Sequence, residues 1–243
     1  MPLDAQALLA ARAAKLNADL SDASAGAILE RILRDDGVGD LALVSSFGAE
    51  SVVLLHLVAQ VDATIPVLFL ETGMLFPETL RYQRQVAEAL GLSDIRLIRP
   101  DSADLFLHDP EGDLHDRDPE TCCALRKVKP LELALQPFEG WITGRKRHQN
   151  PDRAALDVFE VDGGKLKMNP LARWSREDVS AYMNLHDLPR HPLVAQGYAS
   201  LGCAPCTTKV APGEDPRAGR WRGQEKTECG IHFAGGRFWP AAR

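Results

Sequence analysis

The chain has 243 residues, of which 45% are hydrophobic and 26% charged, so it is long enough for one large α/β domain or two small ones. Its formal net charge of −6 argues against the overall positive field of a nucleic-acid-binding protein, so any anionic ligand must be held by local basic clusters. No apolar run approaches the length of a membrane span, and the polar N-terminal residues do not form a signal-peptide core. We therefore expect a cytoplasmic protein with no membrane or nucleic-acid partner, in which thiols stay reduced.

Helix and strand patterns alternate along the first part of the chain. Two amphipathic helices come first, and apolar strands separated by helical stretches follow. The predicted elements in chain order are helices at 4–19 and 24–35, a strand at 41–44, a helix at 52–60, a strand at 67–72, a helix at 77–90, and strands at 95–100 and 141–144. This alternation predicts a single, doubly wound, mainly parallel sheet.

The second half of the chain departs from this alternation. Residues 101–140 form a long insertion between the third and fourth strands. A β-hairpin is predicted over 156–171, with its turn at 162–164, where the sequence reads Asp-Gly-Gly. A further helix is predicted from Ser175 to about His186.

The C-terminal part has a different composition. The periodic pattern ends after Pro189, and the last fifty residues are rich in Gly, Pro, Arg and Cys. Few apolar residues there could anchor the chain to a core. We therefore predict an α/β domain over 1–210 and a mobile C-terminal tail over 211–243, which carries Cys229.

The segment SSFGAES, residues 45–51, joins a predicted buried strand to a helix. Small residues at such a turn let backbone N–H groups approach an anion, and the helix N-terminus adds a favourable field. The segment lacks the Gly-Lys-Ser/Thr ending of the Walker motif. Taken alone, it leaves two interpretations open, a phosphate-binding loop and a tight turn without a ligand.

Four of the five cysteines form two close pairs. Cys203 and Cys206 make a CxxC motif, which is typical of zinc sites, iron–sulfur clusters and redox pairs. Cys122 and Cys123 are adjacent, so a disulfide between them would be strained, and their diverging side chains suit a polynuclear cluster better than one tetrahedral zinc. The ligand count alone does not decide between these metals, and buried thiols without a metal are a third interpretation. Lys127 follows closely and could stabilise an anionic cluster, face an anionic substrate or lie on a solvated helix face.

The motifs of the chain together carry a family resemblance. They are SSFGAES, Cys122-Cys123-x-x-Arg126-Lys127-Val128-x-Pro130-Leu131, GCAPC, RAGRW and ECGIH. From about Ser45 to His232 the chain resembles the assimilatory sulfonucleotide reductases, and more specifically the bacterial adenosine 5′-phosphosulfate (APS) reductases that carry a [4Fe-4S] cluster. The loop resembles the modified phosphate loop of the adenine-nucleotide α-hydrolase fold, with Phe47 and Glu50 at positions where Gly and Asp are usual. The resemblance therefore implies an ATP-pyrophosphatase-like α/β fold.

The resemblance also implies the cofactor and the chemistry. The implied ligands of the [4Fe-4S] cluster are Cys122, Cys123, Cys203 and Cys206. Cys229, as a thiolate, would attack the sulfur of APS, expel AMP and become an S-sulfocysteine. A thiol of thioredoxin or glutaredoxin would then release sulfite, a step of sulfate assimilation toward cysteine biosynthesis.

Further site residues follow from motif matches to the same family. The implied catalytic residues are Cys229, Lys127, which would lie between cluster and substrate, and His232. The implied substrate-binding residues are Ser45, Ser46, Gly48, Ser51, Glu71, Thr72, Gly73, Arg145, Arg147, Arg217 and Arg220. Lys146 stands where the family has an arginine, which leaves open which cation of 145–147 contacts the substrate.

Three other functions are compatible with parts of the sequence. A reductase that prefers 3′-phosphoadenylyl sulfate (PAPS) is the nearest alternative. A thiolating, tRNA-modifying ATP pyrophosphatase would need an intact S-G-G-x-D-S loop and a basic face, neither of which this sequence shows. A zinc-stabilised nucleotide-binding module would leave Cys229 without a role. The sequence does not specify an oligomeric state, so a homo-oligomer remains open.

Overall fold

The computed structural model of the chain describes residues 3–35, 38–224, 226 and 228–232. Its centre is one six-stranded sheet. The strands are β1 (Leu41–Ser45), β2 (Val67–Leu70), β3 (Ile95–Ile98), β4 (Gly140–Ile142), β5 (Phe159–Asp162) and β6 (Lys165–Met168). Their order across the sheet is β3-β2-β1-β4-β6-β5, and all neighbours are parallel except β5 and β6. The predicted mainly parallel sheet and the predicted hairpin are both confirmed.

Helices follow or precede the strands as the alternation predicts. They are α1 (Leu3–Asp19), α2 (Ala25–Leu33), α3 (Ser51–Ala59), α4 (Pro77–Leu90), α5 (Ser102–His108), α6 (Leu114–Arg117), α7 (Pro119–Cys123), α8 (Lys129–Ala134) and α9 (Arg176–Leu185). The predicted helix at 77–90 coincides with α4, which begins with a proline and ends at Gly91 in the left-handed conformation. Within the ranges that the structure describes, no helix is both long and apolar enough to cross a bilayer.

The core lies on both faces of the sheet because the central strands are buried throughout. Along β1, Leu41 and Leu43 pack into the larger cluster, with α2, α3 and α4. The alternate residues Ala42 and Val44 pack on the other face, against Leu131 of α8. This two-residue alternation, with both faces apolar, is expected for a doubly wound sheet covered by helices.

The long insertion 101–140 is largely helical. Between α7 and α8, Ala124–Val128 forms a π-helical turn, and the N–H of Lys129 donates to the carbonyl of Ala124, five residues earlier. Pro130 follows and has no N–H to donate, so an ordinary helical hydrogen bond is lost at this point. Residues 122–128 are all buried. Such π-helical turns are frequent at functional sites, and this one contains Lys127 and directly follows the adjacent cysteines at the end of α7.

The predicted tail is described in part. Residues 225, 227 and 233–243 lie outside the described residues. The boundary of the tail at residue 210 and the mobility of the tail stay predictions. Trp221 is buried, and its backbone N–H donates to the carbonyl of Cys206 at 3.1 Å. The described part of this segment therefore packs next to the CxxC turn.

A buried ion pair joins the insertion to the sheet. The side chain of Asp109, at the end of α5, is 0% exposed, and that of Arg126 is 7% exposed. Arg126 donates from Nη2 to Oδ2 of Asp109 at 2.5 Å and from Nη1 to the carbonyl of Thr72, after β2, at 2.9 Å. The other carboxylate oxygen accepts the N–H of Leu114 at 2.9 Å. The pair thereby fixes the helix of Cys122 and Cys123 against the end of β2.

We expect the substitution Asp109→Asn to lower the free energy of unfolding by about 3–5 kcal/mol, because it leaves the Arg126 charge buried without a counter-charge. Asp113→Asn is the matched control, since Asp113 forms an exposed pair with Arg117 in the same insertion. The control should unfold like the unaltered chain. Denaturant unfolding measures both, and equal stability of the two variants would contradict the structural role of the buried pair.

Candidate active site

A cavity of about 220 Å³ opens at the carboxyl ends of the central strands. It is lined by Ser45 at the end of β1, Thr72 after β2 and Arg145 after β4. The chain leaves β1 toward β2 on one side and reaches β4 on the other, so this is the point where the strand order reverses. Ligands of open α/β sheets bind in the crevice at such a point.

The loop 45–51 forms one wall of the cavity. Phe47 is fully buried against Phe69, with ring centroids 5.0 Å apart, and has a positive φ of 48°. This conformation is strained for a bulky residue, and the burial of the ring offsets the strain. The Oγ of Ser45 accepts the N–H of Phe47 at 3.1 Å, and the Oγ of Ser51 accepts the N–H of Gly48 at 2.9 Å. The four loop residues that the sequence assigns to substrate binding, Ser45, Ser46, Gly48 and Ser51, all line the cavity.

The loop also contributes a charge pair. Nζ of Lys146 donates to Oε2 of Glu50 at 2.8 Å and approaches the carbonyl of Gly144 at 3.3 Å. Burial would raise the pKa of Glu50, but the charge and hydrogen bond of Lys146 lower it below its usual value. The positive charge of the Lys146 ammonium group is therefore balanced by the carboxylate of Glu50 in the loop.

The neighbouring cations have different surroundings. Arg145 lines the cavity, pairs with Glu160 and donates from Nε to Oδ1 of Asn169 at 3.1 Å. Arg147 donates from Nε to the carbonyl of Leu156 at 2.8 Å and is not part of the cavity lining. Of the two arginines that the sequence assigns to the substrate, the structure brings Arg145 to the cavity.

The predicted substrate-binding residues of the turn after β2 also differ in whether they reach the cavity. Thr72 lines the cavity, whereas Glu71 and Gly73 do not. Glu71 accepts the N–H of Gly73 at 2.8 Å and pairs with Arg99 at 3.0 Å. The hydroxyl of Thr72 lies 3.2 Å from Sγ of Cys203.

The two cysteine pairs come together beside this turn. An isolated β-bridge pairs Leu75 with Cys203, and the N–H of Ala204 donates to the carbonyl of Met74 at 2.7 Å. Burial raises the pKa of Cys122 to about 12, and negative charges at Cys123, Cys203 and Cys206 add to the effect. The four thiols, which we call the four-thiol group, are thus close enough to influence one another. None of the five cysteines forms a disulfide.

The donors of the four-thiol group fit a metal cluster. In the described part of the chain, no group of three or more His, Cys, Asp or Glu side chains has the arrangement of a site for a single ion. Four thiols in two pairs, one of them a CxxC, match the ligands that an iron–sulfur cube takes. The cations Lys127 and Arg126 adjoin the group and would stabilise the net negative charge of a thiolate-ligated cluster.

Lys127 lies close to both the four-thiol group and the fifth cysteine, Cys229. It is buried, and it lines the cavity. Burial would lower the pKa of Lys127, but negative charges at Cys203, Cys123 and Cys229 outweigh burial and raise it. The ammonium group of Lys127 therefore stays positively charged next to the four-thiol group and Cys229.

Cys229 lines the cavity together with five arginines. They are Arg145, Arg153, Arg176, Arg217 and Arg220. Burial raises the pKa of the Cys229 thiol, Glu228 and Cys123 raise it further, and Lys127 and Arg220 oppose the rise.

Arg220 and Trp221 are held close to the CxxC turn. The guanidinium carbon of Arg220 lies 4.4 Å from the ring centroid of Trp221, and Nη1 donates to the carbonyl of Leu201 at 2.9 Å. Gly202 makes this approach feasible, because a Cβ there would lie 2.3 Å from Nη2 of Arg220.

Unpaired donors mark the cavity as a site for an anion. Three buried side-chain nitrogens of lining residues, Nε of Arg153, Nε of Arg220 and Nε1 of Trp221, have no hydrogen-bond acceptor within the described residues. Buried polar atoms of folded proteins are almost always paired, so such a group of donors points to a ligand that supplies acceptors.

Sequence reasoning missed Arg153 and Glu228. Glu228 precedes Cys229 in the ECGIH motif, and this proximity to the predicted nucleophile is the signal that could have singled it out. Arg153 lies in the 3₁₀ turn Pro151–Arg153, and nothing in its spacing connects it to the cavity. His232 belongs to the last described turn, Gly230–His232, but its side chain lies outside the described part of the structure.

Comparison with known proteins agrees with the fold and the motifs. Residues 40–209 match the family model of the phosphoadenosine phosphosulfate reductase domain. An adenosine 5′-phosphosulfate reductase of Chelativorans sp. (strain BNC1) is 51% identical over 96% of this chain and 94% of its own. A phosphoadenosine 5′-phosphosulfate reductase of Gloeobacter violaceus is 43% identical over 87% of this chain and 89% of its own. The crystal structure of a phosphoadenylyl-sulfate reductase of Candida auris, in a phosphate complex, superposes with a TM-score of 0.65 at 27% identity, covering 82% of this chain and 96% of that one.

These matches confirm the predicted fold and the predicted resemblance. The family model covers most of the chain, and the relatives align over nearly their whole length. The chain belongs to the phosphoadenosine phosphosulfate reductase family of oxidoreductases.

Proposed function

We propose that the protein reduces adenosine 5′-phosphosulfate to sulfite and AMP in sulfate assimilation, with Cys229 as the nucleophile. The observation that carries the proposal is the position of Cys229 in a cavity lined by Lys127 and Arg220, while of the four-thiol group only Cys203 belongs to the lining. Relatives named for this activity are 42–51% identical over most of the chain, which supports the choice of substrate.

The cavity supplies groups suited to both ends of the phosphosulfate. We propose that the backbone and hydroxyls of the loop 45–51 bind the nucleotide phosphate, as small residues at a helix N-terminus do in other anion sites. The sulfate would be bound by Lys127, Arg217 and Arg220. Cations in a closed cavity stabilise developing negative charge more strongly than they would in water.

The first chemical step is substitution at sulfur. Cys229 loses its thiol proton to solvent, and Sγ attacks the sulfur of the sulfate group. An S–S bond forms, the S–O bond to the phosphate breaks, and AMP leaves with the electron pair of that bond. Lys127 and Arg220 favour the thiolate against the burial that disfavours it, and they stabilise charge on the departing groups.

The second step needs a dithiol reductant, and we propose thioredoxin or glutaredoxin. One reductant thiolate attacks Sγ of the Cys229 adduct, a mixed disulfide forms, and sulfite departs with the electron pair of the S–S bond. The second reductant thiol then attacks the mixed disulfide and restores Cys229. The sulfur that entered as sulfate has gained two electrons and leaves as sulfite, and the reductant leaves as a disulfide.

We further propose that Cys122, Cys123, Cys203 and Cys206 hold a [4Fe-4S] cluster. When bound, it would supply a rigid, anionic centre that links the helical insertion to the CxxC turn. Lys127 would remain the residue between that centre and the substrate.

In the first test, the anaerobically purified protein is incubated with APS and no reductant, and its peptides are mapped by mass spectrometry. Cys229 should gain the mass of one SO₃ group, and one AMP should be released per chain. Cys229→Ser should give neither product. The same reaction with PAPS tests the alternative substrate, and a faster reaction with PAPS would contradict the proposed specificity. Sulfite production from APS by Cys229→Ser, once thioredoxin is added, would refute the proposed nucleophile.

In the second test, iron and acid-labile sulfide are measured in variants purified without oxygen. The unaltered chain and Cys229→Ser should both contain four irons and four sulfides per chain. Cys203→Ser should lose most of them, because a ligand is missing. One zinc in the unaltered chain, or iron loss in Cys229→Ser alone, would contradict the proposed division of the cysteines.

A further inference from the structure

The carboxylate of Glu228 is buried directly beside the proposed nucleophile. Its side chain is only 6% exposed. Oε1 accepts the N–H of Cys229 at 3.1 Å and lies 3.8 Å from Sγ of the same residue. One carboxylate oxygen therefore contacts both the backbone and the thiol of Cys229.

The partners of Glu228 come from elements distant in sequence. Arg153 forms an ion pair with Oε2, and its own side chain is 8% exposed. Nδ2 of Asn150 donates to the same oxygen at 3.1 Å. Arg217 lies 3.8 Å from Oε1. Because a buried carboxylate is unfavourable unless it is paired, these contacts fix where the side chain can lie.

The contacts therefore form a path from the α/β domain to the nucleophile. The 3₁₀ turn Pro151–Arg153 is fixed locally, since Nη1 of Arg153 donates to Gln149 and Asn150 caps the turn by accepting the N–H of Arg153 at 3.0 Å. The residues just before the turn are attached to the domain, because the N–H of Arg147 donates to the carbonyl of Ala172 at 2.9 Å. Glu228 extends this attachment to the backbone of Cys229.

We propose that Glu228 is a positioning residue: held by Arg153 and Asn150, its carboxylate fixes the backbone of Cys229 so that Sγ faces the sulfur of the substrate. The inference rests on the proposed role of Cys229 and adds to it the residue that sets the geometry of attack. Misplacing a reacting atom by about 1 Å can slow a reaction by about 10²-fold.

Because Glu228 is charged, a positioning role can be distinguished by experiment from a general effect on the reactivity of the Cys229 thiol. A carboxylate next to a thiol opposes formation of the thiolate, so its removal should make Cys229 react faster with a reagent that needs no orientation. Removal should slow the oriented attack on APS. A positioning residue therefore predicts opposite changes in the two reactions.

The test compares Glu228→Ala, Glu228→Gln and the matched control Glu214→Gln. Glu214 also pairs with an arginine of the C-terminal part, Arg222, but it lies outside the cavity lining. Two rates are measured for Cys229: formation of the SO₃ adduct in a single turnover at saturating APS, and alkylation by iodoacetamide without substrate. We expect adduct formation to fall about 10–100-fold in Glu228→Ala and by less in Glu228→Gln, which keeps an acceptor for the Cys229 N–H. Alkylation should be at least as fast as in the unaltered chain, and the control should change neither rate.

The possible outcomes test the role of Glu228 and the proposed function separately. Adduct formation at the normal rate in both Glu228 variants would overturn the inference, and so would an equal slowing of adduct formation and alkylation. If Glu228→Ala unfolds at a lower temperature than the unaltered chain, the two rates measured for Glu228→Gln decide whether the inference holds. If the unaltered chain forms no adduct on Cys229, the proposed function fails, whatever the variants do.

Discussion

The site depends on one buried cation, the ammonium group of Lys127, which lies close to both the four-thiol group and Cys229. Lys127, Cys203 and Cys229 all line the cavity. Burial disfavours a charged lysine, so the negative charge that surrounds it must outweigh the loss of hydration. This balance couples the four-thiol group to Cys229, the proposed nucleophile, because a change of charge at one alters the electrostatic field at the other.

The elements around Lys127 bring these groups to one place. All five residues of the π-helical turn Ala124–Val128 are buried, so the turn has no solvent-exposed face. The pair of Asp109 with Arg126 holds this turn to the end of β2. From the other direction, the C-terminal segment presents Arg220 and Cys229 to the cavity. Glu228, paired with Arg153, attaches this segment to the domain. The site is thus assembled from the carboxyl ends of the strands, the insertion and the C-terminal segment.

Sequence patterns predicted the sheet, the hairpin and α4, because apolar periodicity and turn residues are local properties. Most of the residues that the motifs assigned to catalysis and substrate binding line the cavity, because a motif is a local pattern that can be read directly from the sequence. The helical structure of 101–140 was not predicted, because its buried polar residues do not give an amphipathic pattern. Arg153 escaped notice because its partner Glu228 lies far away in sequence, and ion pairs between distant residues leave no spacing to read. Arg147, adjacent to residues of the lining, turns away to the carbonyl of Leu156.

The most direct test of the account is the steady-state kcat/KM for APS of Lys127→Ala, measured on anaerobically purified protein whose iron content is determined in the same sample. If Lys127 links the metal centre to the substrate, Lys127→Ala should keep four irons per chain while kcat/KM falls about 10²–10³-fold, as expected for the loss of one group that stabilises transition-state charge. Lys127→Arg, which keeps the charge, should fall less. An iron-loaded Lys127→Ala variant with the kcat/KM of the unaltered chain would contradict the central role of this residue.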